Sequence, residues 1–105
     1  MAQYDIFPNP SARSRDEVPY VVDVQSDLLA DLRTRLVMPL SRTGATLSQS
    51  PRRLAPTFPV EGHLLALQPH LAAGVDAKLL RKPVGSLAAH AADIRDALDA
   101  VVSGI

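Results

Sequence analysis

The sequence predicts an α+β fold that is mainly β, a twisted antiparallel sheet followed by one C-terminal helix. Before about residue 85, short apolar runs alternate with period 2, and nine prolines in the chain interrupt long helices and central strands. After residue 85 the apolar residues change to helical spacing. The chain has 105 residues, of which 47% are hydrophobic, and can therefore bury one modest hydrophobic core. We expect residues 1–105 to form a single domain.

The clearest strand is predicted at residues 18–25, where apolar side chains alternate along one face: Val18, Tyr20, Val22 and Val24. A weaker strand at 3–7 would pair with it in antiparallel fashion. Residues 35–40 form another predicted strand, with Leu36, Met38 and Leu40 on one face. Pro39 has no amide hydrogen to donate, so we expect it at an edge, a bulge or a strand end.

The central part of the sequence predicts a β-hairpin. The runs 57–60 and 63–67 flank Glu61-Gly62, and the glycine can adopt the positive φ of a tight turn. Residues 41–56 are rich in Ser, Thr, Gly, Arg and Pro and are expected to form a long loop or short irregular elements. A last short strand is expected at 77–80.

The C-terminal segment predicts an amphipathic helix from about Ser86 to Val102. Its apolar side chains recur at helical spacing, at Leu87, Ala91, Ile94, Leu98 and Val101. Ser86 is the expected N-cap, and Gly104 lies where a helix stop is expected. The apolar end of this helix either packs on its own sheet or contacts a second copy or a target, and the sequence leaves both open. Of the core as a whole, Val22, Val24, Leu36, Met38, Leu65, Ile94 and Leu98 are expected to be buried.

Composition excludes several classes of function. Eleven Lys+Arg balance eleven Asp+Glu, and the chain has no cysteine, so neither a global electrostatic field nor a thiolate site is available. The three histidines, His63, His70 and His90, lack metal-ligand spacing, and no phosphate-binding glycine loop or nucleophile elbow is present. We therefore expect no metal, no cofactor and no enzymatic activity. Because no signal peptide or membrane-spanning run is visible, we expect a cytoplasmic protein that does not enter membranes.

One local charge pattern stands out between Leu32 and Val60. Five arginines occur there with no acidic residue: Arg33, Arg35, Arg42, Arg52 and Arg53. Such a run usually marks a solvated loop and strand face, which we take as the first interpretation. The alternative is a docking surface for an acidic peptide or for nucleic-acid phosphates, because guanidinium groups bind carboxylates and phosphates bidentately.

Three segments carry a resemblance to a known family. They are VDVQSDLL at 22–29, RLVMPL at 35–40 and the final SGI at 103–105. Their order and spacing resemble the CcdB family of toxins from toxin–antitoxin modules. The resemblance implies an SH3-like partial barrel of the CcdB/MazF type and a homodimer. It also implies a bacterial toxin that binds the GyrA subunit of DNA gyrase and poisons this topoisomerase. Its antitoxin, a CcdA-like protein with an acidic tail, would repress the operon, so the toxin meets operator DNA only indirectly.

The resemblance also assigns candidate residues. Positions that face gyrase in the family correspond here to Leu28, Leu29, Asp99, Val102, Ser103, Gly104 and Ile105. Ser103 stands where the plasmid-type toxin has a tryptophan, while Asp99 and Val102 replace a polar amide and a large aromatic residue. The five arginines between 33 and 53 are the expected antitoxin-binding residues, because an acidic disordered tail needs cationic partners.

Two alternative functions follow from the same resemblance. A chromosomal relative that retains antitoxin binding but is weakly toxic or non-toxic would fit the serine at position 103. An endoribonuclease toxin of the MazF or Kid type, which is similar in fold, would use charged side chains for acid–base chemistry. The candidates for that role are Arg33, Arg35, Asp23 and Asp27.

Overall fold

The computed structural model describes residues 2–42 and 55–104. Within these ranges the chain forms seven strands and one α-helix: β1 (Asp5–Pro8), β2 (Tyr20–Asp23), β3 (Thr34–Arg42), β4 (Thr57–Val60), β5 (His63–Leu67), β6 (Ala73–Asp76), β7 (Gly85–Ser86) and α1 (Ala91–Ser103). Short 3-10 turns connect several of them. The prediction of a mainly-β fold with one C-terminal helix is confirmed.

The strands form one antiparallel, nearly closed barrel-like sheet in the order β4-β5-β3-β2-β1-β7. The predicted pairing of the first two strands and the predicted hairpin are both confirmed. The longest strand, β3, pairs with β2 along one side. On its other side it pairs first with β6 and then with β5. β3 is therefore the centre of the sheet, and the residues at its two ends are far apart.

Pro39 lies inside β3 opposite Val21, so the expectation of an edge, bulge or strand end was wrong. The Pro39 carbonyl accepts a hydrogen bond of 3.0 Å from the Gln68 N–H. In a strand the N–H and C=O of one residue point to the same side, so the missing N–H faces this side too. At this point β3 changes its partner: its pairing with β6 stops at Val37, and its pairing with β5 starts at Leu40. The proline occupies the junction between two partners, where the sheet requires no donor.

The hairpin between β4 and β5 turns through two residues of positive φ. Glu61 has φ 50° and Gly62 has φ 81°. A two-residue turn of this kind matches the right-handed twist of the flanking strands. Glycine adopts the conformation without a steric penalty, whereas glutamate adopts it against its preference. The predicted role of Gly62 is confirmed.

The sheet buries side chains on both faces. The larger cluster, which includes the helix, contains Tyr4, Ile6, Val22, Met38, Leu40, Phe58, Val60, Leu65, Leu67, Leu87, Ile94 and Ala97, with Val24 and Leu98 partly buried against it. A smaller cluster on the other face contains Phe7, Val21, Val37 and Leu80. The expectation that Leu36 is buried in the core was wrong, because this residue is 37% exposed. It pairs with Gly74, which has no side chain to cover it.

The C-terminal helix begins at Ala91, five residues later than predicted. Ser86 belongs to β7, and its Oγ accepts a hydrogen bond of 3.1 Å from the Ala88 N–H. The expectation of Ser86 as the N-cap of the helix was therefore wrong: a single 3-10 turn, Ala88–His90, precedes α1, and His90 occupies its N-cap position. Ile94 and Ala97 bury the inner face of the helix. Gly104 ends it as predicted, in the left-handed conformation with φ 73°.

Residues 77–80 do not form the expected strand. Ala77–Leu79 form a 3-10 turn, and Asp76 Oδ1 accepts a hydrogen bond of 2.9 Å from the Lys78 N–H at its start. This local bond competes with strand pairing, as aspartate side chains often do. Leu80 is nevertheless 3% exposed, so the apolar signal in this segment marked a core position. Across the described residues, no helix has the length and apolar character needed to traverse a bilayer.

Candidate functional site

The segment after β2 presents an exposed leucine on an ordered turn. Asp27–Leu29 form a 3-10 turn, and Ser26 Oγ accepts a hydrogen bond of 3.2 Å from the Leu28 N–H. The Leu29 N–H closes the turn by donating to the Ser26 carbonyl at 2.9 Å. Leu28 is 94% exposed and Leu29 is 49% exposed. This turn therefore offers two apolar side chains to solvent on a backbone that is held by hydrogen bonds from the N–H groups of Leu28 and Leu29.

Gln25 connects this turn to the sheet. Its side chain is buried, its Nε2 donates to the Leu29 carbonyl at 2.8 Å, and its Oε1 accepts from the Leu36 N–H at 3.0 Å. Its own N–H donates to Asp23 Oδ1 at 3.0 Å. One glutamine thus links the end of the turn to the central strand β3. These bonds fix where Leu28 and Leu29 lie relative to the barrel.

The N-terminal segment supports the same turn from the other side. The Gln3 N–H donates to Asp27 Oδ1 at 3.0 Å, and Gln3 Nε2 donates to the Val24 carbonyl at 3.1 Å. Asp27, at the first position of the turn, also places a negative charge where unpaired amides favour one. The turn is therefore held by two side-chain connections to separate parts of the chain.

Below the turn, Asp23 and Arg35 form a buried ion pair. Their side chains are 0% and 2% exposed, and Arg35 Nε donates to Asp23 Oδ2 at 2.7 Å. Arg35 Nη2 also lies 2.7 Å from that oxygen, but it has no properly directed hydrogen-bond acceptor among the described residues. The expectation of a solvated arginine face was thus wrong for Arg35. Its charge is required to compensate a buried carboxylate.

The remaining arginines of the 33–53 run do not form one patch within the described residues. Arg33 directly precedes β3, Arg42 is the last residue of β3, and both are exposed. Nine strand residues at about 3.3 Å each put them roughly 30 Å apart. Arg42 Nε donates to the Asp16 carbonyl at 2.6 Å, which orients this side chain. Arg52 and Arg53 lie outside the described residues.

The second group of candidate residues lies at the end of α1. Asp99 is exposed and Val102 is 77% exposed. Ser103 Oγ donates to the Asp99 carbonyl at 2.6 Å, so its hydroxyl is used inside the helix. Ile105 lies outside the described residues. In the part of the chain that the structure describes, no hydrogen bond joins the helix end to the Ser26–Leu29 turn.

Comparison with known proteins identifies the family. The family model described as CcdB protein matches residues 3–104, nearly the whole chain. The chain belongs to the CcdB family. This CcdB-type toxin is accordingly a component of a toxin–antitoxin system. Among curated proteins, none matches the sequence.

The structure gives each residue of the VDVQSD block, residues 22–27, a role in the core or in the turn. Val22 and Val24 face the larger core cluster, while Asp23, Gln25, Ser26 and Asp27 each accept a hydrogen bond that shapes the turn. Sequence reasoning treated the block as a strand and did not assign its polar residues a structural role. The available signal was the placement of Asp23 and Gln25 on the same face of a strand. Buried polar groups on a strand face require partners.

The proposed ribonuclease residues are not grouped as an acid–base site. Asp23 and Arg35 are buried and bound to each other, whereas Asp27 and Arg33 are exposed. One oxygen of Asp27 is already occupied by the Gln3 N–H. A general base must reach the substrate proton within hydrogen-bond distance. Two of the four side chains are inaccessible for such a contact.

Proposed function

We propose that this CcdB-type toxin acts without catalysis, by binding the GyrA subunit of DNA gyrase and poisoning that topoisomerase. In this proposal the toxin is a cytoplasmic homodimer. A CcdA-like antitoxin neutralises it, and operator DNA is reached only through the antitoxin. The observation that carries the proposal is the 94% exposure of Leu28 on a turn that Gln25 and Ser26 hold in place.

A rigid apolar tip favours binding for two reasons. Association loses about 0.5–1.5 kcal/mol for each flexible side chain or loop element that must be ordered, and the hydrogen bonds of this turn reduce that loss in advance. Burying the side chain that Leu28 exposes stabilises a complex by about 1.5–3 kcal/mol. These contributions suit a contact whose partner is another protein. They also agree with the family correspondence, which assigns Leu28 and Leu29 to gyrase.

The helix end supplies the second part of the proposed gyrase contact. Val102 is 77% exposed, and Gly104 turns the chain after the helix. Ser103 offers neither a large apolar surface nor a free hydroxyl, because its Oγ donates to the Asp99 carbonyl. Aromatic anchors account for much of the affinity of many interfaces. We therefore expect weaker gyrase binding than in a toxin with tryptophan at this position. This observation keeps the weakly toxic or non-toxic relative as a second candidate.

Antitoxin binding is proposed for the exposed arginines only. Arg33 and Arg42 are available to an acidic peptide, while Arg35 is 2% exposed and bound to Asp23. A separation of roughly 30 Å along β3 suits an extended, disordered partner better than a compact one. Arg52 and Arg53 remain predicted contacts outside the described residues.

The experiment that tests the gyrase proposal compares two leucine variants. Leu28→Ala removes apolar surface whose burial would stabilise the proposed complex by about 2 kcal/mol. The Kd for purified GyrA, measured by calorimetry, should therefore rise roughly thirtyfold. Leu64→Ala is the matched control, because Leu64 is 55% exposed on β5, which pairs with the end of β3 opposite to the one that Gln25 links to the turn. The Leu64→Ala variant should bind GyrA with the affinity of the wild type. Equal affinities for all three proteins would contradict the assignment of Leu28.

Activity assays separate the alternatives. Inhibition of supercoiling and trapping of cleaved DNA should weaken in Leu28→Ala and persist in Leu64→Ala. If the native protein arrests growth but affects neither gyrase assay and instead cleaves RNA, the ribonuclease alternative replaces our proposal. If it binds the antitoxin yet causes no growth arrest, it is the non-toxic relative.

A further inference from the structure

A cleft outside the proposed gyrase and antitoxin contacts collects positive charge from two distant parts of the chain. Its volume is about 230 Å³, and Arg15, Lys78 and Arg81 line it. Pro8, Pro10 and Leu79 complete its wall. Arg15 belongs to the segment between β1 and β2, whereas Lys78 and Arg81 follow β6. The fold is therefore what brings these three cations together.

The cations of this cleft are not neutralised by neighbouring carboxylates. Among the described residues, no carboxylate oxygen lies within 4.0 Å of a charged side-chain nitrogen of Arg15, Lys78 or Arg81. The acids nearest in sequence are Asp16 and Glu17 beside Arg15, which do not line the cleft, and Asp76, whose Oδ1 accepts a hydrogen bond from the Lys78 N–H. Since the chain as a whole has no net charge, this excess of positive charge is a local feature.

One segment of the cleft is held in place by hydrogen bonds and the other by packing in the core. Arg15 Nε donates to the Asn9 carbonyl at 2.7 Å, and Asn9, which is buried, donates through Nδ2 to the Val18 carbonyl at 2.8 Å. On the other side, Leu80 is anchored in the smaller core cluster between the two cationic positions. The cations are thus presented from an ordered backbone, which reduces the entropy lost when a ligand binds.

We propose that this cleft binds a phosphate dianion, either inorganic phosphate or diphosphate or the terminal phosphate of a phosphomonoester. Two guanidinium groups and one ammonium group match a group that carries a charge of about −1.5 to −2 and three acceptor oxygens. A single carboxylate supplies less charge and only two acceptor oxygens. The volume is below the roughly 300–1,000 Å³ of clefts that hold drug-sized ligands, which favours a phosphate group over a whole nucleotide.

Titration of the full-length protein with inorganic diphosphate, at constant ionic strength, tests the proposal. Calorimetry should show saturable binding, and the double variant Lys78→Gln/Arg81→Gln should raise Kd at least about tenfold, since two charge-assisted contacts are lost. Lys82→Gln is the matched control, because it removes one neighbouring exposed charge that does not line the cleft. Its Kd should stay within about twofold of the wild-type value.

A second measurement requires no variant. On adding diphosphate or phosphate, amide chemical shifts in residues 11–15 and 78–81 should move, while those of 26–29 should not. Absence of saturable binding, or equal weakening by Lys82→Gln, would overturn the proposal. So would tighter binding of a short DNA duplex or an acidic peptide that depends on Lys78 and Arg81, since the ligand would then be a nucleic-acid backbone or a carboxylate.

Discussion

The Asp23–Arg35 ion pair permits a quantitative test of what holds the exposed turn in place. Replacing Arg35 by Met leaves the Asp23 carboxylate buried without its cation. Replacing Asp23 by Ala leaves the Arg35 guanidinium buried without its carboxylate. Because the two side chains are 2% and 0% exposed, water cannot take over either role without opening the sheet. We expect each single variant to lower the free energy of unfolding by about 3–5 kcal/mol.

The double variant should behave differently. With both charges removed, no uncompensated charge remains. The double variant also lacks the buried Arg35 Nη2, which has no directed acceptor in the wild type. The main loss is the 3.0 Å hydrogen bond from the Gln25 N–H to Asp23 Oδ1, which contributes about 1 kcal/mol. The effects of the two substitutions are therefore strongly non-additive, with a coupling energy of at least about 2 kcal/mol.

Urea unfolding of all four proteins, at one protein concentration, measures this coupling. Thermal unfolding should place each single variant more than about 10 °C below the wild type. If a single variant does not fold, recovery of folding in the double variant provides the same evidence. Additive effects, or single variants within about 1 kcal/mol of the wild type, would refute the view that the pair matters through charge compensation.

Other predictions concern the contacts of the toxin. Ser103→Trp should add an exposed aromatic anchor and tighten GyrA binding by about 1–3 kcal/mol, measured by calorimetry and supercoiling inhibition, and an unchanged affinity would count against the helix end as a contact. Arg52→Glu/Arg53→Glu should weaken antitoxin binding and reduce its salt dependence, and the idea fails if both stay the same. Light scattering at micromolar concentration should give a dimer mass, whereas a monomer mass would contradict the homodimer. Gly104→Ala should destabilise the protein by about 1–2 kcal/mol in urea unfolding, because residue 104 has φ 73°, and no change would mean that the helix end frays.

Sequence reasoning succeeded where the pattern is local. Period-2 alternation predicted β2, and the Glu61-Gly62 dipeptide predicted the hairpin between β4 and β5. Helical spacing predicted α1 and its glycine stop at Gly104. These signals are readable because strand alternation, tight turns and helix ends depend mainly on nearby residues. The family resemblance added Leu28 and Leu29 as candidate binding residues, which no periodicity could have indicated.

Only the tertiary structure decided the features that depend on residues distant in the chain. Arg35 belongs to a run of like charges, and only the diagonal contact with Asp23 across β2 and β3 showed that it is buried. Similarly, Pro39 is acceptable inside β3 because two different strands meet opposite it. Arg15 and Lys78 are more than sixty positions apart, yet they share one cleft. The sequence by itself determined the local elements and, through its motifs, the family. Burial and charge compensation were decided by strand pairing, because a side chain's environment depends on residues that the chain brings together only when it folds.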